Sequence, residues 1–149
     1  MLLDDYKKAK QEYYKKKAEL DKILTPLESK MYKLEARVEK QILKNKIYLP
    51  IEELKNYSGC AADITVVYKD RIEDYDFAGY IIKDGILEFD DDHMDRDGSY
   101  LTYEKDNRYS KWSDEFGFVD EVEVLGFYNL NLGDGIIPET SLEYLWKIK

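Results

Sequence analysis

One cysteine, one histidine and three prolines in 149 residues already exclude several kinds of chemistry. Cys60 cannot form an intramolecular disulfide, and Cys60 with His93 cannot build a Cys/His zinc cluster. A mechanism that needs two histidines is excluded as well. No stretch approaches the roughly 18 apolar residues of a membrane span. The opening Met1-Leu2-Leu3-Asp4-Asp5 places acids where a secretory signal carries basic residues. The expectation is a cytoplasmic protein without membrane attachment. The chain also lacks a phosphate-cradling P-loop, a GxGxxG fingerprint, a GxSxG elbow and an HExxH pair. It is therefore expected not to be an enzyme and to need no cofactor.

Charge and tyrosine are abundant. Hydrophobic residues make up 44% and charged residues 37%, a balance that supports a globular core, and the net charge is −9. That charge is unevenly placed. Residues 1–46 hold 13 basic and 8 acidic side chains, whereas residues 69–124 hold 7 basic and 18 acidic ones. A weakly basic arm precedes a strongly acidic body, an asymmetry that speaks to partners rather than to fold.

The arm reads as helix. Between Leu3 and Pro50 there is no glycine and one proline, Pro26, in a background rich in Lys, Glu, Leu and Ala. With Leu3, Leu24, Met31 and Val38 at heptad position a, position d takes Tyr6, Tyr13, Leu20, Leu27 and Leu34. Lys10 and Lys17 interrupt position a and Gln41 interrupts d, so the second half of the seam is the stronger. Thr25-Pro26-Leu27-Glu28 has the form of a capping box that would start a second helix. The heptad phase runs through it, which favours a kinked or nearly collinear pair over a helical hairpin. The seam, with Leu20, Leu24, Leu27, Met31, Leu34 and Val38 as its self-association residues, serves either a homodimer or packing on the protein's own body. The basic residues of the arm read as a solvated face, without direct nucleic-acid binding.

Beyond the arm the hydrophobic period changes to two. A short helix is predicted from Pro50 to near Gly59, and a strand over Ala62–Tyr68. Asp84-Gly85 between the apolar runs Phe77–Lys83 and Ile86–Phe89 predicts a two-residue hairpin, because both turn positions need positive φ. Ser99–Tyr103 reads as a strand. Residues 115–130 carry one or two more, with Gly126 at a bulge or bend. Leu142–Ile148 fits a last strand or a short helix. The fold class is thus α+β: a long N-terminal helix, kinked or paired, over residues 1–47, and a small acidic antiparallel sheet or barrel of five to seven strands over residues 48–149.

The segment Asp90–Gly98 resembles a calcium loop in spacing, but His93 occupies the first ligand position and the flanks read as strands. It is taken as an exposed acidic hairpin loop, and no metal site is assigned. Cys60, in Ser58-Gly59-Cys60-Ala61-Ala62, reads as a small buried filler at a strand entrance rather than a nucleophile. No catalytic residue is assigned. The region from Asp70 to Glu123 interleaves acids with aromatics, which are enriched at interfaces. Carboxylates on a rigid sheet imitate the charge ladder of a nucleic-acid backbone. The candidate partner-binding residues are Asp90, Asp91, Asp92, Asp95 and Asp97, with Asp74, Asp76, Asp114 and Glu115.

The segment Val122-Glu123-Val124-Leu125-Gly126-Phe127-Tyr128 resembles the end of a phage-associated domain family called YopX-like. The resemblance covers these seven residues and implies no activity. The functional expectation rests on surface instead. It is a non-enzymatic inhibitor whose acidic, aromatic-rich surface occupies the basic nucleic-acid site of a target enzyme, in the manner of phage anti-defence or anti-CRISPR mimics. The alternative is an adaptor that dimerises through the arm.

Overall fold

The computed structural model describes residues 1–89, 99–113 and 115–149, and its elements follow from the two sequence periods. A long helix, α1 (Leu2–Asn45), precedes an antiparallel sheet that curls into a nearly closed barrel, an α+β fold. By internal contacts the chain divides into two units, Met1–Val38 and Glu39–Lys149.

Helix α1 runs through Pro26, so Thr25-Pro26 opens no second helix and no hairpin forms. Proline removes the hydrogen bond to the carbonyl four residues back, here that of Lys22. In the heptad phase Pro26 falls at c and Lys22 at f, both off the a/d seam, where water can satisfy the carbonyl. Asp4 and Asp5 in the first turn and Lys44 in the last complement the helix dipole. At the C-terminus Lys46 turns left-handed (φ 53°) and the Ile47 amide reaches the Ile42 carbonyl at 3.0 Å, a Schellman closure.

Strand β1 (Leu49–Pro50) leads into a 3-10 helix, Ile51–Asn56, which ends against Tyr57, short of the predicted glycine stop. Strands β2 (Gly59–Tyr68), β3 (Ile72–Lys83), β4 (Ile86–Phe89), β5 (Ser99–Lys105), β6 (Arg108–Ser113) and β7 (Gly117–Asn131) follow. Their order is β4-β3-β2-β7-β6-β5, with β1 added on β7. Asp84 and Gly85 adopt φ of 52° and 77° between the paired Lys83 and Ile86, the predicted hairpin turn. A second such turn, Asp106-Asn107 (φ 50° and 63°), joins β5 to β6.

Strand β7 organises the body. Its first half pairs with β6 and its second with β2, and the register shifts near Leu125. Gly126 lies opposite both Pro50 and Val67, between β1 and β2. A Cβ there would overlap the Leu49 carbonyl and the Tyr48 ring, so this crossing requires glycine.

Alternation sends side chains to two cores. Val66, Tyr68, Tyr80, Leu101, Tyr109, Val124, Phe127 and Leu130 are among those filling the barrel. On the opposite face Val67 and Tyr128 meet Ile42, Ile47, Tyr48 and Leu145, so the last turns of α1 and helix α2 (Leu142–Ile148) cover the outside of β2 and β7. The tail is thus helix, capped by Ser141, whose Oγ accepts from the Tyr144 amide at 3.2 Å. Cys60 is exposed, contrary to its reading as a buried filler, because β2 begins at Gly59 and turns Ala61 inward instead.

Two tyrosines close the barrel between its end strands. The Leu101 amide on β5 donates to Tyr80 Oη on β3 at 2.9 Å, and the Leu87 amide on β4 donates to Tyr109 Oη on β6 at 3.3 Å. Among the described residues no buried side-chain polar atom lacks a partner. Tyr80→Phe or Tyr109→Phe leaves an edge amide buried without an acceptor. Each variant is expected to lose about 1–3 kcal/mol in chemical denaturation, with an unchanged denaturant slope.

Candidate partner-binding surfaces

The register of β3 on β2 sorts the acids near its start. Glu73 lies opposite Val66 and Tyr75 opposite Ile64, both core residues, so Glu73 and Tyr75 face the barrel interior. Asp74 and Asp76 lie opposite Thr65 and Asp63 and are exposed on the outer face. The structure therefore brings Asp74 and Asp76 together beside Asp63. Thr65 Oγ1 donates to Asp74 Oδ1 at 2.7 Å, and Asn131 Nδ2 donates to Asp63 Oδ2 at 3.3 Å. Asp63 directly opposite Asp76 is a like-charge pair, an arrangement that costs stability.

Glu73 is a hub that sequence reasoning missed. Lys111 Nζ on β6 donates to its Oε1 at 2.5 Å, and Tyr75 Oη donates to its Oε2 at 2.7 Å. Tyr75 Oη lies 2.5 Å from Tyr68 Oη, and Arg71 Nε stands 3.4 Å from Glu73 Oε1. The Arg71 guanidinium also lies 5.2 Å from the Tyr68 ring centroid and 3.4 Å from Asp120. Burial alone would raise the Glu73 carboxyl; the hydrogen bonds from Lys111 and Tyr75, with the charges of Lys111 and Arg71, outweigh it and hold the group below its ordinary value. Burial drives the Tyr68 and Tyr75 hydroxyls far above the usual phenol range. The available signal was the alternation of Glu73 and Tyr75 against Asp74 and Asp76.

Two shallow grooves flank this hub. One, of about 480 Å³, is lined by Tyr68, Arg71, Arg108, Asp120, Glu121 and Glu123 among others. The other is lined by Glu73, Asp74, Tyr75, Asp76 and Lys111. Arg108 pairs with Glu121 at 3.4 Å, so the arginines of the first groove are matched by carboxylates. The second groove, with three carboxylates to one lysine, suits cationic partner groups better than anionic ones.

Glu115 sits on a different element, the exposed turn between β6 and β7, where its amide and that of Phe116 donate to Ser113 Oγ at 3.2 and 3.3 Å. Phe116 is 76% exposed, and Phe118 stacks edge-on against Trp112 with ring centroids 5.6 Å apart. Of the aromatics between Asp70 and Glu123, Tyr80 and Tyr109 belong to the core rather than to an interface. Asp90, Asp91, Asp92, Asp95, Asp97, Asp114 and His93 lie outside the described residues. Among the described residues no group of three His, Cys, Asp or Glu side chains is arranged to hold a metal ion. No described helix is long and apolar enough to cross a membrane.

In the unit Met1–Val38 the seam is open. Leu20, Leu24, Leu27, Met31, Leu34 and Val38 are all exposed, by 37–58%. Tyr6 and Tyr13, earlier d positions of the same stripe, are exposed too.

The chain matches no protein-family model, no curated protein and no solved structure in these comparisons. Within the seven-residue YopX-like stretch, Val122, Val124 and Phe127 are core side chains and Gly126 makes the close crossing. That stretch is explained by packing.

Glu73→Gln removes the counter-charge of Lys111, whose side chain is only 17% exposed. About 1–3 kcal/mol of stability should be lost at neutral pH. A carboxyl held low in the folded state contributes stability above its unfolded value and loses it as pH falls through the folded one. The gap between variant and wild type should therefore narrow on acidification through the carboxylate range, as measured by denaturant midpoints. A gap independent of pH would contradict the hub.

Proposed function

We propose that the protein is a non-enzymatic binding module in which α1 docks another helix along its seam while the β body presents an acidic face. One observation carries this reading: the a and d residues keep one heptad phase from Leu3 to Val38 and are solvent-exposed throughout the strong half. An apolar stripe of that length on a soluble helix marks an association surface. Neither core cluster draws on residues before Ile42, so the stripe is not explained by the fold of the body. Leu27→Asp with Leu34→Asp should abolish helix-mediated association in sedimentation and co-purification, leaving the β body folded by circular dichroism. Unchanged association would overturn the reading.

A second reading gives the acidic face its own partner, the basic surface of a nucleic-acid-binding enzyme, with inhibition by mimicry of the anti-defence kind. It is supported by the outward grouping of Asp63, Asp74 and Asp76, where like charges sit opposite each other at a cost to stability. Asp74→Lys with Asp76→Lys should slow association with such a partner by about ten-fold or more at low salt. Partners recovered by the wild type should elute at moderate salt and be displaced by DNA or RNA. Capture that withstands both the reversal and salt would exclude this face as the contact.

A further inference from the structure

Resting on the reading of α1 as an association helix, we propose that the helix it docks is a second copy of this chain, parallel and in register. The argument comes from the positions flanking the seam. Position g holds Lys16, Lys30, Arg37 and Lys44, and position e holds Asp21, Glu28 and Glu35, with Lys7 the one basic residue at e. In a parallel coiled coil each g residue faces the e residue five places on in the partner. Lys16 then meets Asp21 of the second copy and Lys30 meets Glu35, and symmetry repeats both attractions on the other side. The remaining g–e pairs from Ala9 onward (Ala9 with Tyr14, Ile23 with Glu28, Arg37 with Ile42) contain no like-charge contact.

The antiparallel alternative reverses the balance. It sets g against g and e against e, so that Lys16 meets Lys30 and Asp21 meets its own copy, against one attraction, Lys7 with Glu35. The charge pattern thus favours the parallel orientation. Lys10 and Lys17 at position a have stems long enough to lie along the seam with their ammonium groups in water, and polar residues at a favour defined register over higher assembly. Pro26 at c points away from the partner. A parallel pair also brings both chains out of the coil at the same end.

The experiment introduces Leu34→Cys at a d position of the full chain, in a Cys60→Ser background because Cys60 is exposed. In the parallel register the two copies of position 34 face each other, close enough for a disulfide. In a fully overlapping antiparallel pair of α1 they stand ~32 Å apart at ~1.5 Å per residue. Mild oxidation should give a disulfide-linked dimer that reverts on reduction, alongside a dimeric mass for the wild type. Lys16→Glu with Lys30→Glu should weaken self-association by ~10-fold or more. A dimer that does not cross-link at position 34 overturns the parallel register and leaves the association helix standing. A monomer at all concentrations, whose capture of another helical protein is lost in the Leu27→Asp, Leu34→Asp variant, overturns the second copy alone. A monomer indifferent to those aspartates overturns both.

Discussion

A curled sheet must deal with the backbone groups of its two end strands, and in this body tyrosine hydroxyls meet that constraint. Strands β4 and β5 end the sheet order, and an amide of each is satisfied from the opposite hairpin, by Tyr109 and Tyr80 respectively. An edge left bare is either wetted or recruited by another chain. The phenols also fill the barrel, so closure and core packing are one arrangement. Burial pushes the Tyr80 hydroxyl up to about 12 and Tyr109 further, which keeps both neutral across the physiological range. Several of the 14 tyrosines are thus structural, which lowers the weight that their number lends to an interface.

The same geometry partitions the acids. Glu73 points inward and is held by Lys111, Tyr75 and Arg71, linking β3 to a strand that is not its neighbour in the sheet. Asp74 and Asp76, one residue away on either side of Tyr75, point outward. Net charge alone therefore misstates what a partner meets: Glu73 is engaged in linking β3 to β6 and is largely covered, whereas Asp74 and Asp76 are exposed.

The sequence was most legible where one residue type has one structural use. Asp84-Gly85 named its hairpin because few pairs accept two positive φ values, and Gly126 marked a bulge or bend, which the structure places at a register shift where no side chain fits. Asp106-Asn107 forms the same kind of turn without a glycine, and it was passed over. Strand β6, Arg-Tyr-Ser-Lys-Trp-Ser, was missed with it, because its inward residues, Tyr109 and Lys111, do not look like a hydrophobic period. Pro26 misled in the other direction: its local signal is a helix start, but α1 continues through it as one helix. Of the proposed acidic contacts, the structure places Asp74, Asp76 and Glu115, and the first two alone share a face. Which carboxylate faces inward depends on strand register, a long-range property that local composition does not encode.

Stability arguments bear on the arm more than on the body. An isolated helix in water is marginal even with good propensity, since nucleation is costly and most helical stability in proteins comes from burying an apolar stripe. Residues 2–38 bury no stripe within their own unit, and the a and d side chains stand in water. The proline adds a further cost, for it deletes a hydrogen bond in mid-helix. On the proposal that a partner helix covers the seam, that cover offsets these costs. The cover must tolerate two lysines among the a positions, leave c and f to solvent and meet acids on one flank and bases on the other. A parallel copy of the same helix satisfies all of these with no residue added, because its own e and g positions carry the opposite charges in the order required.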